Sequence, residues 1–234
     1  MPLPIRDPLR DNLTAILLDY GGTLDGDARH WFDHFRDLYR AAECTIDEPT
    51  FKDAFYAADA ALEADPEIRT FGLTRMVTTH VDLQLHALGI IDIALARTLT
   101  AQFIADTREA WSRNRPLLRR LATRYRLGVV SNSYGNMPAL LDDGALGPFA
   151  VVLDSAVEGL RKPDPALYLR AAERLGIAPA CILHVGDSWP RDIVPAHAVG
   201  MHTAWLSAPD DPMPASPQAV HRLASLVELE DLVA

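Results

Sequence analysis

Five short apolar runs decide most of what this chain can fold into: Thr14–Leu18, Leu127–Ser131, Ala150–Leu153, Cys181–Val185 and His202–Leu206. They show little alternation of apolar with polar residues, so each predicts a strand covered on both faces. Helical segments fall between the later runs, at Pro116–Tyr125, Met137–Asp142, Pro165–Leu175 and Asp192–Val199. Pro116 and Pro165 suit first-turn positions, and Gly176 suits a C-cap. Strands and helices in this rhythm predict a parallel α/β sheet. The interval from about residue 25 to 111 breaks the rhythm. Its apolar residues recur at three- and four-residue spacing, as in Phe51, Phe55, Ala58 and Leu62 or Met76, Val77, Val81 and Leu85. That pattern predicts helices packed on one another, inserted after the first strand as a cap would be. Residues 1–12, broken by three prolines, read as a loose tail, and the segment from Val220 reads as a last helix.

The composition excludes several classes. With 234 residues, 49% apolar and 23% charged, the chain has the make-up of an ordinary globular protein. A formal net charge of −10 argues against a nucleic-acid partner, which needs a basic face. Cys44 and Cys181 share no metal-type spacing and form no disulfide framework, so a reducing, cytoplasmic setting is expected. No run is long enough to cross a bilayer, and Met1–Pro8 has no apolar leader segment. Oligomeric state is left open.

The candidate chemistry gathers where strands end. Asp19 closes the first run and is followed at once by Gly21, Gly22 and Thr23. Glycines there let backbone amides approach an anion, and the aspartate can serve as a nucleophile in phosphoryl transfer. A carboxylate attacking a phosphate is repelled by about 4 kcal/mol at 4 Å and an effective dielectric of 20. Positive charge must offset that. Lys162, one of only two lysines, sits among prolines before a helix and offers a compact point charge, with Arg161 its nearest competitor. Asp187 and Asp192 supply hard oxygen ligands suited to Mg²⁺. Ser131 and Asn132 end a strand and can either bond phosphoryl oxygens or cap the following helix.

Asp19-Tyr20-Gly21-Gly22-Thr23-Leu24, Val130–Ser133, Lys162–Pro165 and Gly186–Asp192 together resemble the four ordered motifs of the haloacid dehalogenase-like hydrolase superfamily. The resemblance covers about Leu13 to Leu206. It implies a Rossmann-like α/β core built from residues 1–24 and 112–234, with a helical cap domain over 25–111. It further implies Asp19 as nucleophile, with Ser131 and Asn132 holding the transferring group beside Gly22 and Thr23. Lys162 would offset the charge. Mg²⁺ would be held by Asp19, the Gly21 carbonyl, Asp187 and Asp192. The expected partner is a small phosphorylated molecule.

One position departs from the pattern. Phosphatases of this family usually carry an aspartate two residues after the nucleophile as general acid, and here that residue is Gly21. Such help is worth about 10²–10⁴ in rate. A phosphatase restricted to good leaving groups, or one borrowing Asp25, Asp27, Asp59 or Asp65, is one reading. Carbon chemistry is another, either dehalogenase-like or phosphonatase-like with Lys52 in the cap as a Schiff base. A catalytically weak binder of a phosphorylated ligand or of another protein is the third. Arg69, Arg75 and Arg108 are candidate anion-facing groups of the cap, and Trp31, Phe32 and Phe71 candidate pocket walls. None of the eight histidines is assigned to the site; His184 reads as packed within its strand.

Overall fold

The computed structural model describes residues 9, 12–26, 28–217 and 220–234. Asp27 lies outside them, as does the expected loose tail apart from Leu9 and Asn12; Leu9 is buried in the core. Six strands form one parallel sheet: β1 (Ala15–Leu18), β2 (Arg126–Ser131), β3 (Val151–Asp154), β4 (Ile182–Gly186), β5 (His202–Leu206) and β6 (His221–Leu223). Their order is β3-β2-β1-β4-β5-β6, with Leu18 opposite Val129 on one side and Val185 on the other. The chain therefore leaves β1 at the point where the strand order reverses, and a crevice opens beyond the carboxyl ends there.

The unalternated strands are explained by two cores. Ile16, Leu18, Leu127, Val129, Leu183 and Val185 pack into the larger cluster on one face. Ala15, Leu17, Val130 and Ile182 pack into a second cluster on the other. Since successive strand residues point to opposite faces, both faces must be apolar.

Among the described residues, nine helices are labelled in chain order: α1 (Trp31–Ala41), α2 (Glu48–Glu63), α3 (Leu73–Ala87), α4 (Ile93–Leu121), α5 (Met137–Asp143), α6 (Ser155–Glu158), α7 (Pro165–Leu175), α8 (Val194–Ala198) and α9 (Leu229–Val233). Helix α7 matches its expected bounds. Asp164 accepts from Ala166 N at its start, Pro165 occupies the first turn, and Gly176 ends it at φ +64°. Helices α1 to α3 and the first part of α4 lie between β1 and β2 in the chain and pack around stacked Phe35 and Phe103, with ring centroids 4.3 Å apart.

Two expectations fail. Pro116 does not start a helix; it lies inside the 29-residue α4, which runs unbroken past the anticipated boundary at 111/112. An interior proline costs about 3 kcal/mol. Burial of Trp111, Leu117, Leu118 and Leu121 around it offsets that loss. The C-terminal segment is not one helix either. Its buried residues Leu223, Leu226, Leu229 and Val233 recur at near-helical spacing, yet His221–Leu223 first pairs with β5 as an edge strand. Ser207 N donates to Leu223 O at 3.0 Å in that pairing, and a 3-10 turn over Leu226–Glu228 leads into α9.

Candidate active site

Three adjacent strands deliver the site. Asp19 follows β1, Ser131 is the last residue of β2, and Asp187 follows β4. Lys162 reaches the same point from the loop before α7 and is 5% exposed. Its Nζ lies 2.6 Å from Asp19 Oδ1 and 2.6 Å from Asp192 Oδ1. Asp19, Asp187 and Asp192 each bring one oxygen within 4.8 Å of the others. Of the two candidate cations, Lys162 is thus the one at the carboxylates. Arg161 instead bonds Glu63 at 3.1 Å.

Two glycines make this closeness feasible. At Gly22, φ is +77° and a Cβ would stand 2.5 Å from Asp187 Oδ2. At Gly186 a Cβ would stand 2.4 Å from Asp192 Cγ. The carboxylates occupy space that any side chain would fill.

The two acids of the later motif differ in their surroundings. Asp192 is fully buried and saturated by protein donors. Its Oδ1 accepts from Lys162 and from His184 Nε2 at 3.2 Å, and its Oδ2 accepts from Ser188 N at 3.0 Å. Burial opposes its charge, but Lys162 and His184 overcome that and hold its carboxyl below the usual range. Asp187 Oδ1, by contrast, is buried with no hydrogen-bond partner. Burial, then Asp19 and Asp192, push the Asp187 carboxyl well up. Burial also raises Asp19, with Lys162 countering only in part. Lys162 itself is held above its ordinary value, because Asp19 and Asp192 outweigh the burial that would lower it.

One amine cannot neutralise two buried carboxylates and a third, half-buried one. An orphaned oxygen, hard donors and raised acids fit a divalent cation such as Mg²⁺. The Gly21 carbonyl, which accepts no hydrogen bond among the described residues, is consistent with the same group.

Above the carboxylates lies a cavity of about 470 Å³ whose walls include Gly21, Trp31, Ser131, Asn132, Lys162 and Asp59. A second space of about 380 Å³ includes Asp187, Ser188 and Phe32, and His30, Tyr56 and Arg191 line both. Asn132 has a positioning role: its Oδ1 accepts from Lys162 N at 2.8 Å and its Nδ2 donates to Lys162 O at 3.0 Å. Gly22 and Thr23 lie beneath the site and are not among the cavity-lining residues; Thr23 is fully buried.

Several further expectations change. Arg69, Arg75 and Arg108 line neither space; Arg75 pairs with Glu67 at 2.6 Å and lies over the Phe71 ring. The cavity arginines are Arg161 and Arg191. Phe71 is buried in the core, whereas Trp31 and Phe32 do form walls. Lys52 is exposed on α2 and lines neither space. Asp65 accepts from Glu67 N in its own turn. Asp25 sits behind Trp31, its two oxygens accepting from Trp31 Nε1 at 2.6 Å and Gly22 N at 2.7 Å. Burial drives its pKa to about 7.

Sequence reasoning missed His30, Tyr134 and Arg191 as cavity residues, and the support His184 gives Asp192, whereas Asp59, one of the acids named as a possible replacement, does line the cavity. The offset of Arg191 and Asp192 from Gly186 carried a signal for Arg191. His30 had none, being set by the path of the insert.

The chain matches the family description haloacid dehalogenase-like hydrolase over residues 13–200. It is 30% identical over 203 residues to haloacid dehalogenase-like hydrolase domain-containing protein 3 of Bos taurus, covering 80% of this chain and 78% of that one. It is 25% identical over 199 residues to the glyceraldehyde 3-phosphate phosphatase of Methanopyrus kandleri, covering 82% of each. In three dimensions it resembles the 2-haloacid dehalogenase of Pseudomonas syringae, with TM-score 0.54, 22% identity, and 94% and 98% of the two chains covered. A parallel sheet with its acids at the switch point and a sequence match over most of its length make this chain a member of the haloacid dehalogenase-like hydrolases.

Proposed function

We propose that this hydrolase is a Mg²⁺-dependent phosphatase that forms an aspartyl-phosphate at Asp19 on a small substrate with an acidic leaving group. The observation that carries the reading is the orphaned Asp187 Oδ1 beside the Lys162-bridged pair Asp19 and Asp192. A dehalogenating nucleophile would need no such cluster. Kinship to a protein named as a phosphatase adds support.

Asp19, the Gly21 carbonyl and Asp187 would hold the Mg²⁺, with Asp192 behind them fixing Lys162 and the Ser188 amide. When bound, the ion neutralises charge between carboxylates and phosphoryl oxygens. Ser131 donates to a phosphoryl oxygen, and Lys162 offsets the repulsion between that group and Asp19. An Asp19 oxygen attacks phosphorus, and the bond to the leaving oxygen breaks with its electron pair. Gly21 supplies no proton, so the leaving oxygen must carry its own charge. Water then attacks the phosphorus, the bond to Asp19 breaks with its electron pair returning to the carboxylate, and both water protons leave with the phosphate.

The helices over 25–111 act in this reading as a cap domain that excludes water and shapes the cavity. The exposed position of Lys52 gives Schiff-base chemistry no support. Phosphate release from aryl and alkyl phosphates ordered by leaving-group acidity, with and without Mg²⁺, tests the proposal. Rates should rise steeply with acidity, need the metal and vanish in Asp19→Asn. Turnover persisting in that variant, or insensitivity to Mg²⁺, refutes it.

A further inference from the structure

The cavity contains a polar group that phosphoryl transfer leaves unused. Asp59, on α2, lines the wall. Its Oδ1 accepts from the Tyr134 hydroxyl and from His80 Nε2, the latter at 3.0 Å. Gln84 Nε2 and His80 Nδ1 lie 2.5 Å apart, and the other ring nitrogen, Nε2, faces the carboxylate. His80 and Gln84 are fully buried. The His80 ring lies nearly parallel to Phe35, with centroids 5.2 Å apart, and 5.0 Å from Phe55.

Polar groups in an aromatic core are costly unless bonded. Here the chain of bonds ends on one oxygen of one side chain. Asp59 Oδ2 has no hydrogen-bond partner among the described residues, and the side chain is 29% exposed. The other cavity charges divide simply. Glu63 bonds Arg161, Lys162 serves the carboxylates, and Arg191 forms no ion pair among the described residues. The aromatic-walled space formed by Trp31, Phe55 and Tyr56 thus offers one guanidinium without an ion pair among the described residues, Arg191, whose Nε donates to Ser188 Oγ at 3.1 Å, and one spare carboxylate oxygen.

We infer that Asp59 Oδ2 is a subsite for an ammonium group carried by the leaving group. The substrate class is then an acidic, aryl-type phosphate whose apolar body bears a protonated amine. The inference rests on the proposed phosphatase reading for the phosphoryl end. A volume of about 470 Å³ falls within the usual range for small-molecule pockets. The aromatic walls suit the body, and a cation near their faces gains further attraction.

The test uses two non-hydrolysable probes of the same shape, para-(aminomethyl)benzylphosphonate and para-ethylbenzylphosphonate, titrated calorimetrically with Mg²⁺ present. Wild type should bind the amine probe at least about tenfold more tightly, as befits a charge-assisted bond. Asp59→Asn should erase that preference and leave affinity for the ethyl probe within about twofold. Tyr134→Phe should lower the melting temperature yet keep the preference, since it removes a support and not the free oxygen. Equal affinity of wild type for the two probes, binding of neither, or an equal loss of both in Asp59→Asn overturns the inference. Selective binding of the amine probe without phosphate release from any aryl phosphate would instead overturn the phosphatase reading and leave the subsite standing.

Discussion

Neighbouring glycines at 21 and 22 should respond oppositely to the same added methyl group. At Gly22 the backbone is left-handed at φ +77°, which costs an L-residue about 1–2 kcal/mol. The new Cβ would also stand 2.5 Å from Asp187 Oδ2 and 2.8 Å from its Cγ. Restoring an ordinary contact of 3.4 Å moves that carboxylate by about 0.9 Å, the difference between 3.4 and 2.5. A misplacement of about 1 Å at a reacting centre is worth roughly 10²-fold in rate. At Gly21 the nearest atoms to a Cβ are Trp31 Cδ1 at 3.8 Å and Nε1 at 3.9 Å, so alanine fits. Gly22→Ala should therefore melt about 2–8 °C lower, need more Mg²⁺ for half-maximal activity and lose about 10²-fold in kcat/KM. Gly21→Ala should stay within about 0.5 kcal/mol in stability and show the wild-type Mg²⁺ midpoint. Differential scanning calorimetry and Mg²⁺ titrations of phosphate release read both quantities. An unchanged Mg²⁺ midpoint in Gly22→Ala, or equal damage from the two substitutions, would refute the placement of Asp187 against this turn.

Lys162→Met should destabilise by about 3–5 kcal/mol in urea unfolding, since it strands Asp19 and Asp192 as buried carboxylates; a variant as stable as wild type would contradict that pairing. Gly21→Asp should raise turnover of alkyl phosphates by about 10²–10⁴ and change aryl phosphates little. The Cβ is accommodated, but the new carboxylate would compete with Asp25 for the Trp31 indole, and no gain on alkyl substrates would mean that the site lacks more than an acid. Asp25 is raised from 3.8 to about 7 by burial, so its folded form keeps a proton that the unfolded chain releases. Its contribution to stability therefore falls as pH rises from about 4 to about 7, by up to about 4 kcal/mol, and is flat above that window. Urea unfolding across that range should show the decline in wild type and a shallower one in Asp25→Asn; parallel profiles would remove Asp25 as its source.

The sequence carried five of the six strands, and the positions of Asp19, Ser131 and Asp187 at strand ends, because those signals are local. An unbroken apolar run demands two covered faces, and a glycine beside an acid marks backbone pressed against a carboxylate, as at Gly22 and Gly186. The cavity walls were not legible in the same way. Asp59 and His80 lie on different helices and meet Tyr134 from the end of β2, so their association depends on tertiary packing. Arg75 and Arg161 look alike as residues, yet one stacks on Phe71 at the surface and the other lines the cavity. Pro116 misled for a related reason. Propensity places a proline at a helix start, while the apolar residues around it reward continuing the helix.

The length of α4 has a mechanical consequence. One end of this rod packs among the aromatic rings of the insert, and the other lies on the sheet. The second strand of chain joining the two is the short stretch from Asp19 to His30, itself pinned where Asp25 grips the Trp31 indole. Two such tethers, one stiff and one fastened, tie the helical segment to the sheet at both of its ends. Pro116 has no amide hydrogen to give the preceding turn, so the rod is held there by the packing of Leu117 and Leu118 instead of by that bond.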